Sequence, residues 1–128
     1  MLEFNNKFNT SSEPLNLWAT ATDLEPSDFD GQALKRPGTL AVLFQASWCG
    51  FCRRFQPVFE EAAKKSGISW SAADVSDDDN VLWDVFNIAV VPTVIVFRNG
   101  KPVFRSDGVR GRGLSQNAID EIIHQMKS

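Results

Sequence analysis

The chain has 128 residues, 43% of them apolar, and a net charge of −3 with both signs spread along its length. Ten Phe and four Trp are enough to build the core of one ordinary domain without covalent staples, and the charge argues against a dedicated nucleic-acid binder, which carries a basic face. No stretch approaches the roughly 20 apolar residues of a membrane span, and two cysteines with one distant histidine, His124, fall short of the about four ligands of a structural zinc site unless a dimer pools them.

Residues 1–13 are polar and rich in Asn, Ser and Thr; they read as a loose tail, followed by one domain over residues 14–128. The N-terminus has no continuous apolar region of the secretory type, so the expected location is the cytoplasm, or the periplasm or exterior if a leader precedes it. Leu15–Thr20 reads as a short edge strand. Ser27–Lys35, with Phe29, Ala33 and Leu34, reads as a short helix stopped by Pro37-Gly38. Thr39–Gln45 is nearly all apolar without alternation, as in a strand covered on both faces.

After Ser47-Trp48-Cys49-Gly50-Phe51-Cys52 a helical pattern begins. Cys52, Phe55, Phe59, Ala62 and Ala63 share one face, while Arg53, Glu60, Glu61 and Lys64 populate the other. Pro57 lies within this helix, and Gly67 stands where it should stop. Ile68–Val75 reads as a strand. Asp77–Asp79 and Asn80 supply caps for a short helix over Val81–Phe86; an EF-hand spacing is absent. Thr93–Phe97 and Pro102–Arg105 are strands joined by a hairpin turn at Asn99-Gly100. Ile119, Ile122, Ile123 and Met126 mark the apolar face of a last helix capped by Ser115, with His124 off that face. The order β-α-β-α-β-α-β-β-α mixes parallel crossovers with one hairpin, giving a three-layer α/β/α class with a central mixed sheet.

A thiol attacks poorly until it loses its proton. Cys49 follows a strand and sits at the first turn of a helix, where unpaired N–H groups and the helix dipole favour thiolate. Two intervening residues bring a second sulfur within bonding reach. Cys49 is therefore expected to be the exposed, ionised nucleophile. Cys52, on the apolar face with Phe55 and Phe59, is the buried partner that resolves a mixed disulfide. Gly50 leaves room for a substrate backbone, and Trp48 offers a flat surface beside the nucleophile.

Trp48-Cys49-Gly50-Phe51-Cys52 resembles the Trp-Cys-Gly-Pro-Cys active site of the thioredoxin family. Pro57 matches the family's helix-kink proline, Val91-Pro92-Thr93 its cis-proline motif, Asn99-Gly100 its hairpin turn and Gly108 the glycine after its last strand. The match covers residues 15–127. The resemblance implies the thioredoxin fold and a cis Val91–Pro92 peptide facing Cys49, with the Val91 backbone free to pair with an extended substrate and Pro92 packed against the two sulfurs.

Three residues depart from the family pattern. Phe51 replaces a proline, which predicts a looser turn and a reduction potential above the thioredoxin value of about −270 mV. Leu43 occupies the position of a buried acidic residue, six before Cys49, and Ser71-Ala72-Ala73 lacks the accompanying lysine, which predicts slow loss of the Cys52 proton. Gln45 stands where a tryptophan beside the site is usual, an exchange expected to alter partner recognition. Arg105, Arg110 and Arg112 with Gly108, Gly111 and Gly113 form a basic loop available to partners.

The expected function is that of a thiol–disulfide oxidoreductase acting on protein disulfides or thiols, recharged by a reductase or oxidase. It would be monomeric and without metal or organic cofactor, its redox centre being the Cys49–Cys52 pair itself. The competing reading is a protein-binding or assembly module that uses the cis-proline face with little redox turnover. A glutaredoxin-like activity on glutathione mixed disulfides is a third.

Overall fold

A computed structural model describes residues 23–127. The expected tail over residues 1–13 and the edge strand over Leu15–Thr20 lie outside the described residues.

The long apolar run becomes β4 (Thr39–Gln45), the middle strand of a five-stranded sheet. It pairs in parallel with β5 (Trp70–Asp74) and antiparallel with β6 (Thr93–Arg98). Beyond them lie β1 (Asp23–Leu24), parallel to β5, and β7 (Lys101–Asp107), antiparallel to β6, so the order is β1-β5-β4-β6-β7. Val42, Leu43 and Phe44 are fully buried because both faces of this strand are covered.

On one face, Ala41, Leu43, Val94 and Val96 meet Phe55 and Phe59 of helix α1 (Gly50–Ser66) and Ile119 and Ile122 of helix α3 (Gln116–Lys127). A side chain such as Phe59, with no exposed surface, contributes about 1.5–3 kcal/mol by leaving water. On the other face, Val42, Phe44, Ile95 and Phe97 meet Leu82 of the single-turn helix α2 (Leu82–Val85), Phe86, and Phe29 and Leu34. Phe86 is the hub of that layer, with its ring centroid 5.3–5.7 Å from those of Phe29, Phe44 and Phe97. The layers are those of the thioredoxin fold.

The helix expected over Ser27–Lys35 is not formed. A 3-10 turn at Pro26–Asp28 leads into a small hairpin of β2 (Phe29–Asp30) and β3 (Ala33–Leu34). Gly31 turns the chain at φ 59°. Phe29 and Leu34 are paired across the hairpin and buried together, so the spacing that suggested a helical face is satisfied by two opposed strand residues. The Leu34 N–H donates to the Gly100 carbonyl, which docks the hairpin on the Asn99-Gly100 turn.

The other local expectations hold. Helix α1 runs through Pro57 and ends at Gly67, whose φ of 72° lets its N–H reach back to the carbonyls of Ala63 and Lys64. Asn80 Oδ1 accepts from the Leu82 N–H at the start of α2, and Ser115 Oγ accepts from the Ala118 N–H at the start of α3. His124 is exposed.

Candidate active site

The end of β4 delivers Ala46–Cys49 directly to the start of α1. Cys49 is the N-cap of that helix, extended at φ −98°, ψ 111°, and its Sγ accepts the Cys52 N–H at 3.1 Å. This uses one of the N–H groups that a helix start leaves without a partner. The Cys49 thiol also lies 3.5 Å from the Val91 carbonyl, to which it donates. Both cysteines are free thiols.

Two details differ from the expectation. Cys49 is itself 7% exposed rather than open to solvent, and Cys52 is fully buried. Both pack with Phe44, Ala46, Val75 and Val91, on the α2 side of the sheet, and not with Phe55 and Phe59. The first turn of α1 stands over the sheet's end, so its cysteines meet the strand termini while later turns meet the opposite layer. Burial is the main force pushing the Cys52 thiol far above its ordinary range, followed by its bond with Cys49. The two sulfurs are thus unlike: one at the mouth of a groove, the other sealed below.

The Val91–Pro92 peptide is cis. Thr93 Oγ1 donates to the Val90 carbonyl at 2.6 Å and fixes the turn into β6. Gly108, after β7, approaches this segment so closely that a Cβ there would stand 2.4 Å from the Pro92 carbonyl oxygen. The requirement for glycine is steric, and it brings the 109–113 loop to the site. Gly50 meets no such crowding from its own chain; a Cβ would find only Arg54 Nη1, at 3.8 Å.

Trp48, Cys49, Gly50, Phe51, Trp83, Val90, Val91, Val109 and Arg110 line a groove of about 330 Å3. Trp48 is held by its indole N–H, which donates to the Ser76 carbonyl, and by stacking on Trp83 at 6.4 Å and 7°. Ser76 Oγ in turn accepts the Ser47 N–H and donates to Asp74. Trp83 and Ser76 were not singled out from the sequence, and Arg110 only as part of a basic loop available to partners. The available signal was Trp83 beside, rather than on, the Leu82–Phe86 apolar face. Arg53, on the polar face of α1, donates to the Ser47 carbonyl at 2.5 Å. Gln45, where an effect on partner recognition was expected, is 1% exposed, and its Oε1 has no hydrogen-bond partner among the described residues. Among the described residues no group of three or more His, Cys, Asp or Glu could hold a metal ion, and no helix is long and apolar enough to cross a membrane.

A mixed sheet, a Cys-x-x-Cys at a helix start and a facing cis X-Pro define a dithiol protein of the thioredoxin fold. The thioredoxin family model matches residues 20–122, and the chain belongs to that family of thiol–disulfide oxidoreductases. The chain is 35% identical over 101 residues to protein disulfide-isomerase like 2-2 of Arabidopsis thaliana, covering 77% of this chain but 23% of the length of that protein. It is 29% identical over 98 residues to thioredoxin of Mycobacterium tuberculosis, covering 76% of this chain and 84% of that one. Among solved structures, thioredoxin f2 of Chlamydomonas reinhardtii superposes with a TM-score of 0.66 over 82% of this chain and 94% of the other, at 19% identity, a likeness of fold. Proteins of this family carry electrons on a redox-active disulfide and not on a bound cofactor.

Proposed function

We propose that the chain exchanges disulfides with other proteins through Cys49 and Cys52. The observation that carries this reading is the asymmetry of the pair. Cys49 Sγ lies in the groove wall with a backbone N–H donated to it, an interaction stronger for a thiolate than for a thiol, while Cys52 is sealed and its thiol is held protonated by burial.

In the reducing direction the Cys49 thiolate attacks one sulfur of a substrate disulfide. The substrate S–S bond breaks, and the departing thiolate takes a proton. Cys52 then gives up its proton and attacks Cys49 Sγ, which releases the second substrate thiolate. One dithiol becomes a disulfide as one disulfide becomes a dithiol. A partner reductase returns the pair to the dithiol form, and an oxidase would drive the reverse flow. The Val91 backbone offers an edge against which an extended substrate can lie. Trp48, Gly50, Phe51, Pro92 and Gly108 shape that groove. We further take the working form to be a cytoplasmic monomer.

Insulin reduction with dithiothreitol as donor tests the reading. Turnover should vanish in Cys49→Ser, and Cys52→Ser should accumulate a mixed disulfide with the substrate. Turnover that survived Cys49→Ser would overturn it. The groove's apolar rim, with Trp48 at 57% and Val109 at 54% exposure, favours the binding-module reading as the alternative. Partner capture unaffected by loss of both cysteines, without insulin turnover, would decide for it.

A further inference from the structure

The charge around the groove is not that of the chain. The protein is net acidic, yet Arg110 is, among the described residues, the one charged side chain lining the groove that holds Cys49. Phe51 forms the ridge between this groove and a second cavity of about 150 Å3, which Arg54 and Arg112 line beside Val58 and the first residues of α3. Arg54 sits over the Phe51 ring, 4.8 Å from its centroid. The ion pairs of the described residues lie elsewhere, at Arg36–Asp28, Lys65–Glu61 and Arg105–Asp107. Three guanidinium groups therefore stand around Phe51 with no ion-pair partner among the described residues. On the opposite rim the order is reversed: Trp83 donates its indole N–H to the Asp77 carbonyl, so the Asp77–Asp79 run stands behind the Trp48–Trp83 stack.

We infer that Arg110, with Arg54 and Arg112 across the Phe51 ridge, selects protein substrates whose reacting cysteine carries acidic residues on one flank. The inference rests on the disulfide-exchange reading and adds the class of substrate. Guanidinium groups take carboxylates in a two-pronged geometry. An apolar groove supplies contact area but little discrimination, whereas charge at its rim steers encounter and rejects like-charged partners. The acidic run on the far side gives the selection a direction: an acidic flank is welcome beside Arg110 and repelled behind Trp83.

The test compares three disulfide-linked peptides that differ only in the residues flanking one cysteine, Glu, Gln or Lys, each reduced by the pre-reduced full chain in single turnover. At low ionic strength the Glu peptide should react about tenfold faster than the Lys peptide, and salt should bring the ratio toward one. The ratio should collapse in Arg110→Gln/Arg112→Gln, with circular dichroism confirming the fold. Equal rates for the three peptides in the unmodified protein, or a preference that persists in the double variant, overturn the inference while leaving disulfide exchange intact. Failure to reduce any of the three removes the exchange reading and the inference with it.

Discussion

Phe51 packs directly on Gly113: a methyl group at Gly113 would stand 3.0 Å from the Phe51 Cβ and 3.2 Å from its Cδ1. Phe51, one of the two residues between the cysteines, is thus held by Arg54 on one side and by the 109–113 loop on the other. Phe51 occupies the first turn of α1, where proline is tolerated because its missing N–H has no helical acceptor. Phe51→Pro should fix the turn, favour the dithiol form less strongly, and move the reduction potential down toward the thioredoxin value of about −270 mV. Equilibration of both proteins against glutathione buffers measures it. A potential that stays put, or rises, contradicts the idea that this side chain sets the couple.

The two sulfurs should differ in rate. At pH 7 iodoacetamide should modify Cys49 at least about tenfold faster than Cys52, because only thiolate reacts and burial holds Cys52 protonated. Mass spectrometry of peptides from a quenched time course reads the two rates separately. Modification of both at one pace would show that the asymmetry does not survive in solution.

Leu43 is fully buried among Phe55, Phe59, Val94 and Val96, at the position where related proteins hold a carboxylate. Nothing acidic therefore stands ready to take the Cys52 proton from that position. Leu43→Asp should accelerate closure of the mixed disulfide onto Cys52, and should cost about 3 kcal/mol of stability because it loses buried apolar surface and strands a polar group. Rapid-quench kinetics and urea denaturation give the two numbers. An unchanged closure rate in a folded variant would show that a carboxylate at position 43, in the layer opposite Cys52, does not assist its proton loss.

Asp23 titrates unusually high, at about 6, through partial withdrawal from water first, and then the carboxylates of Asp74 and Glu25. Its ordinary value is 3.8, so the native state holds a proton that the unfolded chain has released over the interval between. Stability from this group is fully present below about 4 and is lost as pH rises through about 6. Asp23→Asn should raise the melting temperature at pH 7.5 and flatten its dependence on pH between 4 and 7. Melting curves for both proteins across that interval check the sign. A variant that melted lower at pH 7.5 would reverse it.

Much of the site was legible because it is written in local signals. The apolar run of β4, the Cys-x-x-Cys before an amphipathic helix and the Asn99-Gly100 turn each impose their structure within a few residues. What the sequence concealed depends on pairing between distant segments. Phe29 and Leu34 suit a helical face and a hairpin equally, and only the layer formed with Phe86 and Phe97 selects the hairpin. Trp83 becomes part of the site through its stack on Trp48, thirty-five positions earlier. Gln45 was expected to alter partner recognition, yet it is buried, as the two-sided cover already read from the apolar run of β4 requires. The burial of Cys49, by contrast, follows from the Val91 segment closing over it.

The groove has walls of opposite mechanical character. The cysteines hang from β4, bonded to a strand on each side and buried on both faces, so its amide protons should be among the last to exchange with deuterium. The facing wall is a turn from Val109 to Gly113 whose backbone bonds close on themselves and whose residues stand mainly in water. A substrate of the proposed exchange would thus meet a sulfur anchored to the middle of the sheet on one side and a solvent-exposed turn on the other.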